Sequence, residues 1–327
     1  MNLVSQKKSE LRGIAESHRS DLLKYVGPQN SGVLFKFLLS LKSANTRRAY
    51  FRDLIHFFRF LTEKKQKKSF VSVTRTDIDH YKEVLRRYGP VGAKPSTDAT
   101  IKRKLAATSK FYKFLIREDL LKFNPVEYVE RPKVPLEVKT EVFSPEELKK
   151  MLELFKEPNE KNALKTALLF LQVTTGLRIG EILGLKVANY FREGESAFLT
   201  VKSSKSSRVL RKELSGKVID ALESYLLYRD SLISSDPLFV GLIKKDAPLS
   251  QGSAFEIIKR AAKKVGIERK INNHSARAYF ITQALDHVSL GEVQAEVGHS
   301  SIVMTNEYDK RRRDNSKKLG EIISSFD

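Results

Sequence analysis

The chain contains no cysteine. Disulfides and thiolate chemistry are therefore closed to it, which fits a reducing cytosol. Long hydrophobic runs are missing too. The most apolar stretch, Ala167–Leu171, falls far short of the ~20 residues that cross a bilayer. The first ten residues, Met-Asn-Leu-Val-Ser-Gln-Lys-Lys-Ser-Glu, lack the apolar core of a signal peptide. The expectation is a soluble, cytoplasmic protein with no membrane partner. There is no Gly-Lys-Ser/Thr phosphate loop, no His-x-x-x-His spacing suited to a metal, no internal repeat and no low-complexity tract. Gly176, Gly180 and Gly184 recur every four residues, but the nearby Arg178, Glu181 and Lys186 exclude a membrane-helix packing motif.

Negative charge is scarce relative to positive: 39 Asp+Glu stand against 60 Lys+Arg, a net charge of +21. That balance points first to a polyanionic partner, with nucleic acid the leading candidate. The excess is uneven. Residues 1–139 hold 30 Lys+Arg and 14 Asp+Glu, leaving 30 and 25 for residues 140–327. The first part therefore reads as an electrostatic clamp for duplex DNA, the other reading being a well-solvated lysine-rich surface.

At 327 residues and 41% hydrophobic content the chain can fold as two domains. Residues 1–30 read as a polar segment, partly helical or loose, and residues 31–130 as a helical DNA-binding domain. Tyr50, Leu54, Phe57 and Leu61 share one helix face; Ile101, Leu105, Thr108, Phe111 and Leu115 share a face of a second helix, and Thr76–Tyr88 reads as a third. Arg48, Arg52 and Arg59 form a stripe on the first, Arg103 and Lys110 on the second. Such stripes suit phosphate contacts, while any one of these side chains also suits a solvated surface.

Pro125, Pro132 and Pro135 mark extended chain, with a linker placed at 131–142. Ser144-Pro145-Glu146-Glu147 then starts a helix, with a serine cap, a first-turn proline and acids at the positive end of the dipole. The second domain, 143–310, reads as helices near 145–156, 161–174, 178–186, 215–231, 252–265, 274–287 and 289–297, with a small hairpin of Phe198–Val201 and Arg208–Arg211. The fold class expected is mainly α, two domains, with a small antiparallel sheet in the second. Residues 311–327 form a tail in which Leu319, Ile322, Ile323 and Phe326 make a short apolar stripe.

One set of residues carries a chemistry. Attack on a phosphodiester adds negative charge to the non-bridging oxygens. Without a metal, that charge calls for fixed cations, for which the planar, always-charged arginine fork is suited. Arg178 and Arg277 are the candidates. His274 lies three before Arg277 at a helix start, so the two project from nearly the same face. Gly298 reads as a helix stop before His299, and nine residues later stands Tyr308. A phenol with its usual pKa of about 10 is a poor nucleophile, so it needs a base and positive charges beside it.

In that order these residues resemble the tyrosine recombinases, the family of phage integrases and Xer-type resolvases, over most of residues 31–310. Thr175-Gly-Leu-Arg-Ile-Gly-Glu-Ile-Leu-Gly-Leu185 resembles the first arginine box, His274-Ser-Ala-Arg277 the His-x-x-Arg box, and Gly298–Tyr308 the closing box with its nucleophile. The resemblance implies the DNA breaking-rejoining fold and site-specific recombination or integration. It makes Tyr308 the nucleophile that forms a 3′-phosphotyrosyl link, Arg178 and Arg277 the phosphate grip, His274 and His299 aids to proton transfer and positioning, and Glu181 a support one turn after Arg178. No cofactor, metal or ATP is implied. The family's hairpin lysine, the general acid, corresponds to Lys202 or, as the alternative, Lys205. The resemblance also implies a tetramer on two DNA duplexes, with the tail docking on a neighbouring subunit, packing on its own domain being the alternative for that stripe. The chain departs from the pattern at Ala276 and Tyr279, and in lacking a proline on the second strand.

Two rival readings remain. A metal site could be imagined from His274, Asp286, Glu296 and His299, but Arg277 would set a positive charge beside the ion. A non-catalytic DNA-binding regulator on the same scaffold is the more serious one, and it would have no need of a tyrosine beside two arginines.

Overall fold

Most α-helices among the described residues begin at a side chain that accepts a backbone N–H. In the computed structural model, Ser43, Thr74, Thr97, Ser144, Asn159, Ser250, Asn272 and Ser289 each do so, satisfying donors that a first helical turn leaves open. The structure describes residues 3–65, 69–89, 94–134, 140–202, 209–230, 232–243 and 245–298. Lys205, His299, Tyr308 and the tail lie outside them. The chain divides into two units, residues 1–136 and 137–327, each described by itself.

The first unit is all helical among its described residues: α1 (Leu3–Ser17), α2 (Arg19–Asp21), α3 (Gly27–Ser40), α4 (Ala44–Glu63), α5 (Arg75–Tyr88) and α6 (Asp98–Arg117). The expected faces are the buried ones. Leu54, Phe57 and Leu61 of α4 and Ile101, Leu105, Phe111 and Leu115 of α6 are inaccessible or nearly so, with Tyr50 partly buried against them. Rings fill the space between helices, with Phe57 edge-on to Tyr81 at 5.2 Å and Phe58 edge-on to Phe111 at 5.9 Å. Burying each such ring stabilises by about 2–3 kcal/mol.

The structure draws no boundary near residue 30. Leu11, Ile14, Leu22, Tyr25 and Val26 belong to the same core cluster as Phe37 and Phe51. Their polar neighbours hid the stripe, because in a helix the apolar positions are a minority and only their spacing shows the face.

The second unit holds α7 (Pro145–Glu153), α8 (Glu160–Thr175), α9 (Ile179–Ile182), β1 (Tyr190–Glu193), β2 (Ser196–Lys202), β3 (Val209–Leu214), α10 (Gly216–Leu226), α11 (Gln251–Lys264), α12 (Asn273–Leu285) and α13 (Leu290–Val297). The sheet is antiparallel in the order β1-β2-β3, with Tyr190 opposite Leu199 and Lys202 opposite Val209. It packs with α8 and α10 in one core, while α7 and α11 share a second with Ala276. The expected hairpin is thus two-thirds of a three-stranded sheet. The missing strand, β1, is four residues long and turns into β2 at Gly194, whose φ of 62° only glycine adopts readily. The helix expected over 178–186 shrinks to α9, after which Leu185 turns into the core.

Candidate active site

Gly176 ends α8 in the left-handed conformation, φ 61°, and the chain turns there to present Arg178 at the cap of α9. A Cβ at Gly176 would lie 2.3 Å from the Phe280 ring, so this turn requires glycine for space as well as for angle. The Arg178 backbone N–H donates to Glu181 Oε2 at 2.9 Å, and its Nη1 lies 3.4 Å from Oε1 of the same carboxylate. Glu181 is itself buried, and one acid therefore fixes both the main chain and the guanidinium of Arg178.

Arg277 sits in the first turns of α12, only 5% exposed. Its Nη1 donates to the Gly176 carbonyl and its Nη2 to the Val297 carbonyl at 2.7 Å. One side chain thereby ties the turn before Arg178, the first turns of α12 and the end of α13, stretches that lie far apart in sequence. Arg178 Nη2 reaches the next carbonyl, that of Gly298, at 3.5 Å. Gly298 closes α13 with φ 62°, the left-handed stop its position before His299 implies.

His274 occupies the first turn of α12, where its backbone N–H donates to Asn272 Oδ1 at 2.7 Å. Burial, Arg277 and Arg178, in that order, hold its imidazole below the ordinary value of 6.5. All three favour the neutral form of the ring. The structure brings Arg178, Glu181, His274 and Arg277 together. Lys202 ends β2 with its side chain exposed, while Lys205, His299 and Tyr308 lie outside the described residues.

One basic residue of this neighbourhood escaped the sequence reading. Lys212, on β3, is 4% exposed, and its Nζ donates to both the main-chain carbonyl and the carboxylate of Glu296. Arg277 and Glu181 are close enough to act on its charge. The signal was the two-residue period of the strand: Leu210, Lys212 and Leu214 point inward, while Val209, Arg211 and Glu213 are exposed. The Glu296 carboxylate once considered for a metal thus faces an ammonium group. Among the described residues no three His, Asp or Glu side chains group as a metal site.

The basic stripes of the first unit are mixed in character. Arg52 and Lys110 are exposed. Arg48 is itself more than half exposed and lies 3.8 Å from Glu10, a largely buried carboxylate that the buried Arg47 also holds. Arg103 is half exposed but donates to Asp53, a buried carboxylate that Lys104 Nζ also reaches at 3.2 Å. Part of Arg103 is therefore committed to holding α4 against α6.

The sequence profile described as the phage integrase family matches residues 141–314. The chain belongs to the phage integrase family of tyrosine recombinases. Residues 34–119 match the phage integrase N-terminal SAM-like domain. The recombinase is 31% identical over 278 residues to tyrosine recombinase XerC of Myxococcus xanthus, covering 81% of this chain and 87% of that one. It is 29% identical over 271 residues to tyrosine recombinase XerD of Halalkalibacterium halodurans, again covering 81% and 87%. Its fold is similar to that of the XerH site-specific recombinase bound to palindromic difH substrate, with TM-score 0.67, 20% identity, and coverage of 85% of this chain and 81% of that one. It also resembles a lambda integrase tetramer bound to a Holliday junction, with TM-score 0.62, 18% identity, and coverage of 86% and 77%. No helix among the described residues is long and apolar enough to cross a membrane.

Proposed function

We propose that this chain is a site-specific DNA recombinase that cuts and rejoins duplex DNA by transesterification, with Tyr308 as nucleophile. The observation that carries this reading is the joining of Arg178 and Arg277 through successive carbonyls at the end of α13, with His274 in the first turn of the helix that carries Arg277. Two guanidinium groups held in register can neutralise the charge that grows on a phosphate's oxygens.

In the first step the phenolic oxygen attacks phosphorus, a 3′-phosphotyrosyl bond forms, and the 5′-oxygen leaves as a hydroxyl. Lys202 supplies that proton, with Lys205 the alternative, and His274 and His299 assist the transfer from Tyr308. Glu181 keeps Arg178 in place. A 5′-hydroxyl from the partner duplex then attacks the same phosphorus and frees the tyrosine. One ester bond replaces another at each step, so no ATP is consumed, and the two arginines meet the charge that a metal would otherwise meet.

Residues 31–130 would bind the duplex through Arg52, Lys110, Arg48 and the exposed part of Arg103, with 131–142 as linker and 143–310 as catalytic domain. Residues 311–327 would dock on a neighbouring copy in a tetramer holding two duplexes at a specific recombination site, in the cytoplasm. Both relatives carry recombinase names, which gives the non-catalytic regulator no support.

The test is covalent capture. A pool of nicked duplexes with randomised arms traps an enzyme that cleaves near the nick, because the short product diffuses away. The wild type should retain DNA through denaturation, and sequencing that DNA gives the site. Tyr308→Phe should retain none while binding the recovered duplex as tightly as the wild type. A denaturation-resistant adduct with Tyr308→Phe would refute the assignment of the nucleophile.

A further inference from the structure

The closing turn of α13 is met by three cations. The main-chain oxygens of Glu296, Val297 and Gly298 accept in order from Lys212, Arg277 and Arg178. A helix leaves its last carbonyls without partners and carries the negative end of its dipole there, so cationic donors suit that place. Two of the three are the proposed phosphate grip. The third comes from the sheet and lies in none of the recombinase boxes.

Stability alone gives no reason for Lys212. An ammonium group drawn out of water is costly even when paired, and an apolar side chain at an inward strand position would fill the same space without that cost. Here the charge is spent on one helix end, at both the carbonyl and the carboxylate of Glu296. Glu296 itself is half exposed, so the anchor runs from a buried strand outward to the helix rather than the reverse.

We infer that Lys212 is a positioning residue for strand cleavage: it pins the end of α13, and so fixes where Arg277 and Arg178 stand and where the chain departs toward His299 and Tyr308. The role rests on the reading of the two arginines as the phosphate grip. A guanidinium displaced by about 1 Å from a reacting phosphate loses about 100-fold in rate, so a small slippage of one helix end is enough to be measured.

Three full-length variants test it: Lys212→Met, which keeps length and removes the donor, Lys212→Arg, which keeps a donor, and Glu296→Gln, which leaves Lys212 and its charge intact. Amide hydrogen exchange of the free protein and single-turnover cleavage of the duplex recovered by covalent capture are read side by side, with binding as the control. Lys212→Met should raise exchange over residues 293–298 about tenfold and slow cleavage about 100-fold, with binding within about twofold. Lys212→Arg should cleave faster than Lys212→Met, which a pure space-filling role does not predict. Glu296→Gln keeps the main-chain carbonyl and a side-chain oxygen for Lys212, so it should slow cleavage less than Lys212→Met; a loss as large as that of Lys212→Met would place the role on the carboxylate and overturns positioning by Lys212. Unchanged exchange in Lys212→Met, or faster exchange with unchanged cleavage, also overturns it. Should Lys212→Met fail to fold, Lys212→Leu decides on the same two readouts. If the wild type itself traps no DNA, the recombinase chemistry fails, and exchange still decides whether Lys212 anchors the helix.

Discussion

Lysine cannot replace arginine at position 277. The two terminal nitrogens of Arg277 serve carbonyls on different segments, a span that a single ammonium group cannot cover. Arg277→Lys should therefore lower single-turnover cleavage about 100- to 1,000-fold while leaving DNA affinity nearly unchanged. An effect confined to affinity would remove Arg277 from the transition state. His274 gives a second residue-level expectation. Its pKa lies below 6.5, so cleavage should be flat from pH 8 to 7 and fall only below its ordinary value, as the imidazole protonates. A rate that climbs as pH drops through 6.5 would argue against a neutral His274 in the reaction.

At the scale of single helices, α4 carries a group that makes stability depend on acid. Burial first, then Lys104, holds His56 down at about 4 from an ordinary 6.5. The unfolded chain therefore binds this proton more readily than the folded one, and the stabilisation is complete above pH 6.5 and is lost as pH falls through about 4. His56→Gln should flatten the melting temperature of the protein across that window, and an unchanged slope would show that other groups set it. Much at this scale was legible beforehand. The apolar faces of α4 and α6, the Ser144 start of α7 and the Gly298 stop of α13 all follow from spacing or from a single local residue. What escaped depended on contacts remote in sequence. β1 is too short to show a period, α1 hides its stripe among polar neighbours, and Lys212 lies between Arg211 and Glu213 as though it too faced water. The arginines and His274 could be picked out as a set, but that their link passes through the carbonyls of α13 depends on the fold.

For the whole molecule, the net charge of +21 dictates how binding should respond to salt. A protein that covers several phosphates releases condensed counterions, and its affinity should fall about 1,000-fold or more between about 50 and 200 mM monovalent salt. A response shallower than about tenfold would remove the first unit's basic stripes as the main contact. Arg52→Ala and Lys110→Ala should each reduce the steepness of that dependence on any duplex, without altering the rate at which bound DNA is cut.

The seating of two arginines on the last carbonyls of α13 bears on how an inactive control should be made. A stop codon placed ahead of residue 296 would delete the tyrosine and, with it, the ledge on which Arg277 and Arg178 rest. Such a shortened protein would lose more than its nucleophile, so any weakness it showed toward DNA would carry no clear meaning. A single substitution at the tyrosine leaves that ledge standing.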